Sequence, residues 1–155
     1  MEQSNSKKFQ LTDNNIKDIV ANWCDGKKEE TIQMYGYISD WDTSKVTNMD
    51  ELFSGKTKFN EDISNWDVSN VTSMYRMFFN AFTYDMPLSK WNVQNVLNME
   101  EMFYGAISFN QFLLRWQVND KCNLKNIFRC AFTYDKKINF KVVADDYEYS
   151  KIKVC

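Results

Sequence analysis

From Met34 to Phe140 the apolar and polar positions recur with a period of 25 residues. Trp41, Trp66, Trp91 and Trp116 mark the period, and no insertion or deletion falls between them. Self-similarity at a fixed spacing belongs to repeat architectures, in which each unit buries its apolar face only against its neighbours. Within the second unit, Val71, Met74, Met77 and Phe78 have the spacing of one face of a short helix, with Asp67 or Ser69 placed ahead of it to supply a cap oxygen. The stretch from Phe59 to Ser64, with its counterparts Tyr84 to Ser89 and Phe109 to Leu114, turns Ile63, Leu88 and Leu113 inward and predicts a brief strand paired with the same segment one unit away. The expected fold class is therefore an α/β solenoid, a stack of four to five coils with one short strand and one short helical segment in each. Its expected core comprises Trp41, Trp66, Trp91 and Trp116, Val46, Val71 and Val96, Met49, Met74 and Met99, Phe53, Phe78, Phe103 and Phe128, with Ile63, Leu88 and Leu113 on the strand side.

The flanks read as caps on the array. Between Asp13 and Cys24, Ile16, Ile19, Val20 and Trp23 fall at i, i+3, i+4 and i+7, the apolar stripe of a helix, with Thr12 or Asp13 as its cap and Asp25-Gly26 as its stop. Residues 11–33 are accordingly read as an N-terminal cap that shields the edge of the first coil, with Lys27 to Thr31 a charged, exposed link. Periodicity starts before the first tryptophan, since Met34 aligns with Phe59 and Ile38-Ser39-Asp40-Trp41 with Ile63-Ser64-Asn65-Trp66. The fourth unit, Trp116 to Phe140, drifts, with Lys121 where the others have valine. Residues 141–155, through Val142-Val143 and the alternating run Tyr147 to Val154, read as an extended C-terminal cap. Residues 1–10 read as a flexible tail, and residues 11–155 as one domain whose repeats occupy 34–140.

Composition removes whole classes of function. Of 155 residues, 19 are basic and 21 acidic, for a net charge of -2, and neither sign gathers into blocks. A nucleic-acid partner is not expected from such a balance. There is no histidine, so the commonest general base and metal ligand is missing, together with every Ser-His or Cys-His nucleophile. The opening MEQSNSKKFQ contains no apolar signal region, and no run is long enough to span a membrane, so an intracellular protein is expected. Cys24, Cys122, Cys130 and Cys155 form no CxxC pair and read as reduced thiols.

Several groupings invite a chemical reading and each has a plainer one. A tryptophan column could stack on sugars, but beside Ile63 and Leu88 it reads as interior filling. The columns Asn60, Asp85, Asn110, Asp135 and Asp42, Asp67, Asn92, Gln117 offer oxygens to calcium, yet they lack the glycines of calcium-binding repeats and read as partners for turn amides. Glu61-Asp62, Glu100-Glu101 and Asp145-Asp146 alternate between faces and read as solvated surface. No catalytic, cofactor-binding or metal-ligating residue is assigned. Lys58, Thr83 and Ser108 differ between units and are the candidate variable binding surface.

The phrases WDTSKVTNMDELFSG, NWDVSNVTSMYRMF and KWNVQNVLNMEEMFYGAISFNQ resemble the BspA-like leucine-rich-repeat family, whose units read W-D-V-S-N-V-T-N-M-x-x-M-F. The resemblance spans about Met34 to Phe140. It implies a right-handed leucine-rich-repeat-like solenoid and a noncatalytic protein-interaction or scaffold module, in a family found on bacterial surface proteins and in arrays of protists and large DNA viruses. A structural, capsid or virion-associated component of a large DNA virus is the alternative role, and a surface adhesin a third. The expected partner is another protein or a larger assembly.

Overall fold

The structure, a computed structural model, describes residues 10–134 and 140–142. Its regular elements are helices α1 (Ile16–Cys24) and α2 (Lys28–Tyr35), one 3-10 turn (Ile38–Asp40) and two-residue strands β1 (Gln117–Val118) and β2 (Lys141–Val142), which pair in parallel. The chain is thus not the α/β solenoid expected from its period. Among the described residues no repeat carries a helix, and the segments at 59–64, 84–89 and 109–114 are not strands.

The reason lies in the backbone. Ten and fourteen residues after each tryptophan, φ is positive: Glu51 and Gly55, Arg76 and Asn80, Glu101 and Gly105, Asn126 and Cys130. A left-handed residue at both places breaks any run of right-handed α conformation. The amides that a helix would spend four residues back go instead to the neighbouring repeat. Met49, Glu51, Phe53 and Gly55 donate to the carbonyls of Ser73, Tyr75, Met77 and Phe79, and the same alternate-residue row joins Met74, Arg76, Phe78 and Asn80 to the third repeat. The intervening amides close tight turns, as Ser54 N–H does onto Glu51 O at 3.0 Å. Single parallel bridges, Asn48 to Ser73 to Asn98 to Asn123, are what remains of strand pairing. In the expected strand segments side-chain oxygens take the amides: Asn60 Oδ1 accepts from Asp85 N–H at 2.9 Å, and Asp85 Oδ1 from Asn110 N–H at 2.9 Å.

Apolar positions at equal spacing meet across repeats and form columns. Phe53, Phe78, Phe103 and Phe128 stack with centroids 5.4, 5.4 and 5.5 Å apart, and Phe59, Tyr84, Phe109 and Tyr134 form a parallel column. Each Phe of the first column also stacks on its partner in the second at 4.0–4.2 Å. Offset stacking adds to the large area each ring buries. Trp66, Trp91 and Trp116 are buried, and each indole N–H donates to a carbonyl 28 residues earlier, those of Ile38, Ile63 and Leu88. Val46, Val71, Val96, Met49, Met74, Met99, Ile63, Leu88 and Leu113 are buried as well.

The flanks depart from the expected caps in detail. The helix begins at Ile16 rather than Asp13, and no side chain caps its first amides. Thr12 offers its own amide to Asn15 Oδ1, and Asp13 is engaged with the first repeat. Residues read as an exposed link form the start of α2, with Thr31 buried and its hydroxyl donating to Lys27 O. Met34 does not play the part of Phe59: it lies on α2 with 54% of its surface exposed, whereas Ile38 is buried. In the fourth repeat Lys121 is exposed and Cys122 takes the buried place of valine, its amide closing the turn onto Asn119 O. The expected tail, Asp135 of the fourth repeat, and most of the C-terminal cap, including Asp145-Asp146 and Cys155, lie outside the described residues.

Candidate docking faces

The variable positions Lys58, Thr83 and Ser108 are all exposed. They sit on one face because the inter-repeat hydrogen bonds place them there. Ser108 N–H donates to Phe82 O at 3.0 Å, Thr133 N–H to Ile107 O at 3.2 Å, and Thr83 Oγ1 to Phe59 O at 3.2 Å. The residues just before them in the chain carry the larger signal. Phe82, Ile107 and Phe132 hold the same repeat position and are 41%, 39% and 70% exposed. Thr57 holds that position in the first repeat. The result is an apolar stripe across the second, third and fourth repeats, bordered by Lys58 and by the hydroxyls of Thr83, Ser108 and Thr133. Sequence reading missed the stripe, although three apolar residues at a repeat position otherwise occupied by threonine were a usable signal.

A second feature lies where α1 and α2 meet the first repeat. A cavity of about 400 Å³ is lined by Trp23, Cys24, Asp25 and Lys28 on the helical side and by Gly55 to Phe59 and Glu61 on the other. Its rim is ionic. Lys56 Nζ meets Asp25 Oδ2 at 2.5 Å, and Glu61 Oε1 accepts from both Lys28 Nζ and Trp23 Nε1 at 2.9 Å. The Lys28 ammonium also lies over the Trp23 ring, 4.8 Å from its centroid. Burial pushes the Cys24 thiol up to about 11, so it is not a thiolate nucleophile at neutral pH. Lys58 forms no ion pair among the described residues. Sequence reading had no access to this cavity, because α2 was taken for a link.

The polar columns are occupied within the fold. Asp42, Asp67 and Asn92 accept the amides of Ser44, Ser69 and Gln94 two residues on, as local turns require. Gln117 accepts instead from the Gln94 amide group. Among the described residues no three Cys, Asp or Glu side chains are placed to hold a metal ion, and Cys24 and Cys122 are free thiols. Among the same residues no helix is long and apolar enough to cross a membrane.

The family model described as Mycoplasma protein of unknown function, DUF285, matches residues 20–140. No curated protein and no solved structure matches the chain.

Proposed function

The chain belongs to the DUF285 family, and from that premise we propose that it is a noncatalytic protein-binding module. Its docking face is the stripe of Phe82, Ile107 and Phe132 with the bordering side chains of Thr83 and Ser108. The likeness of its units to BspA-like repeats, whose members present interaction surfaces, supports the same reading. The observation that carries it is the exposure of three large apolar side chains at one repeat position, in a molecule that buries the aromatic residues Phe78, Phe103 and Phe128 four positions earlier. Apolar side chains gathered on a surface and rimmed by polar groups mark contact sites. Phe132 at 70% exposure has the most area to bury against a partner.

Co-purification from native material tests the reading. Wild-type protein retains a stoichiometric partner, and the triple variant Phe82→Lys, Ile107→Lys, Phe132→Lys loses it. A partner retained by the triple variant contradicts the assignment of this face, and stoichiometric recovery inside purified particles moves the protein to the class of assembly subunits.

A further inference from the structure

The cavity between the helices and the first repeat is an unfilled repeat interface, and the filled interfaces describe what fits it. On the third repeat, Ser108 N–H is taken by a main-chain carbonyl, Phe82 O at 3.0 Å. Two residues on, Asn110 N–H is taken by a side-chain oxygen, Asp85 Oδ1 at 2.9 Å. The second repeat takes Asp85 N–H the same way through Asn60 Oδ1, with Thr83 joined to Phe59 O through its hydroxyl and not its amide, and the fourth takes Thr133 N–H through Ile107 O. The corresponding donors of the first repeat are Lys58 N–H and Asn60 N–H. Neither has an acceptor among the described residues. Both residues are exposed; Lys58 lines the open cavity, and Asn60 stands at its edge between the lining residues Phe59 and Glu61.

The charge of the cavity selects among ligands that could supply those acceptors. Three lysines, Lys28, Lys56 and Lys58, face two carboxylates, Asp25 and Glu61, around it. Both carboxylates are already engaged, Asp25 by Lys56 and Glu61 by Lys28 and the Trp23 indole. The Lys58 ammonium is left over, so the cavity favours a negative group. Main-chain hydrogen bonds to an extended segment supply affinity, and pockets for particular side chains supply selectivity, when a chain adds to an open edge.

We propose that this cavity binds an extended acidic peptide of a partner protein, in the register that Phe82 to Asp85 adopts on the third repeat. A main-chain carbonyl of the peptide accepts from Lys58 N–H, and the carboxylate of an Asp three residues later accepts from Asn60 N–H beside the Lys58 ammonium. The site adjoins the Phe82, Ile107 and Phe132 stripe through Thr57 and Lys58 but uses none of its three apolar side chains, and it goes beyond the function proposed for that stripe.

The probe is a fluorophore-labelled peptide of sequence AFTYDMPL, copied from Ala81 to Leu88, titrated with the full chain and read by anisotropy. Saturable binding is expected. Replacing the peptide Asp by Ala, or Lys58→Glu in the protein, each weakens it at least about tenfold, the effect of losing one charge-assisted hydrogen bond or reversing one contact charge. Lys58 is exposed, so the Lys58→Glu protein keeps its melting temperature. The triple stripe variant binds the peptide as the wild type does, which separates this site from the docking face. Absence of saturable binding, or binding that survives either replacement, overturns the proposal.

Discussion

The carboxylate of Asp13 does for Thr47 what the carbonyl of Thr47 does for Thr72. Asp13 Oδ1 accepts from Thr47 N–H at 2.7 Å, and Thr47 O accepts from Thr72 N–H at 2.8 Å, as Thr72 O does from Leu97 N–H. Asp13 also takes Asn48 N–H at 3.0 Å and the Thr47 hydroxyl at 2.6 Å. One side chain from ahead of α1 therefore imitates the missing preceding repeat at this corner. A buried or half-buried amide row needs such a terminator wherever an array begins.

That relationship makes stability depend on acid. Burial raises the Asp13 carboxyl, but the hydrogen bonds from Thr47 and Asn48 and the charge of Lys17 outweigh it and hold the carboxyl below its ordinary 3.8. A folded-state value below the unfolded one stabilises the fold above pH 3.8 and ceases to do so as pH falls through the lowered value. Asp13→Asn, which keeps one acceptor oxygen and loses the other with the charge, is expected to cost about 1 kcal/mol at neutral pH, the scale of one hydrogen bond. Urea midpoints measured against pH check this: the gap between wild type and variant closes in acid, and a gap that is constant with pH contradicts the role.

Tyr84 and Tyr134 alternate with Phe59 and Phe109 in one ring column, and the buried hydroxyls of both lack a hydrogen-bond partner among the described residues. Burial drives the Tyr84 phenol well above its ordinary 10.0. An unpartnered buried hydroxyl is a standing cost, so Tyr84→Phe should leave stability unchanged or raise it by up to about 1 kcal/mol. Chemical denaturation decides the matter, and a loss of more than about 1 kcal/mol would reveal a partner for the hydroxyl.

Gly55 and Gly105 occupy the same left-handed position, with φ of 70° and 66°. They differ in what surrounds them: a Cβ at Gly55 meets nothing within 4 Å, whereas one at Gly105 falls 2.2 Å from Asn80 Oδ1. Gly55→Ala should cost about 1 kcal/mol for the backbone alone, and Gly105→Ala clearly more. Because Asn80 itself has a φ of 53°, Asn80→Gly suits its backbone and removes the obstacle. Thermal melts of the two single variants and the Gly105→Ala, Asn80→Gly double variant should show partial recovery in the double. Equal losses at Gly55 and Gly105 would contradict the packing described.

Trp66 joins three parts of the core. Its ring stacks on Trp41 at 6.0 Å and lies 5.8 Å from Phe53, and its indole N–H reaches Ile38 O at 2.7 Å. Trp66→Ala should cost about 3 to 5 kcal/mol. Trp66→Phe, which keeps much of the ring and leaves the Ile38 carbonyl with only the Trp41 N–H at 3.4 Å, should cost about 1 kcal/mol, the scale of one hydrogen bond. Urea denaturation orders the two, and a Trp66→Ala loss below about 1 kcal/mol would place the ring outside the core.

The period is legible in the residues because stacking demands the same ring at the same place in each unit, as Phe53, Phe78, Phe103 and Phe128 show. Secondary structure is not legible from the same spacing. Val71, Met74, Met77 and Phe78 have a helical interval and are all buried, yet a chain of tight turns with left-handed Arg76 and Asn80 produces that interval too. Glu51, Arg76 and Glu101 give no warning of positive φ, which residue type signals reliably only for glycine. Helix α2 escapes notice because Lys28 to Tyr35 buries little beyond Thr31. The slip that buries Cys122 in place of Lys121 depends on one turn closing a residue later than in the other units. Of the docking features, the variable positions are visible in a comparison of units. The apolar stripe becomes a feature only when Phe82, Ile107 and Phe132 are seen together on the outside, and the cavity only when α2 is in place.

The central structural claim is that each repeat is held by amides given to its neighbour, leaving the first repeat with an open row. Amide hydrogen exchange, resolved by residue, measures it directly. The amides of Ser108 and Asn110 and the row Met74, Arg76, Phe78 and Asn80 are expected to exchange slowly, near the rate set by global unfolding, while those of Lys58 and Asn60 exchange fast. Equal protection at Lys58 and Ser108 would contradict the account.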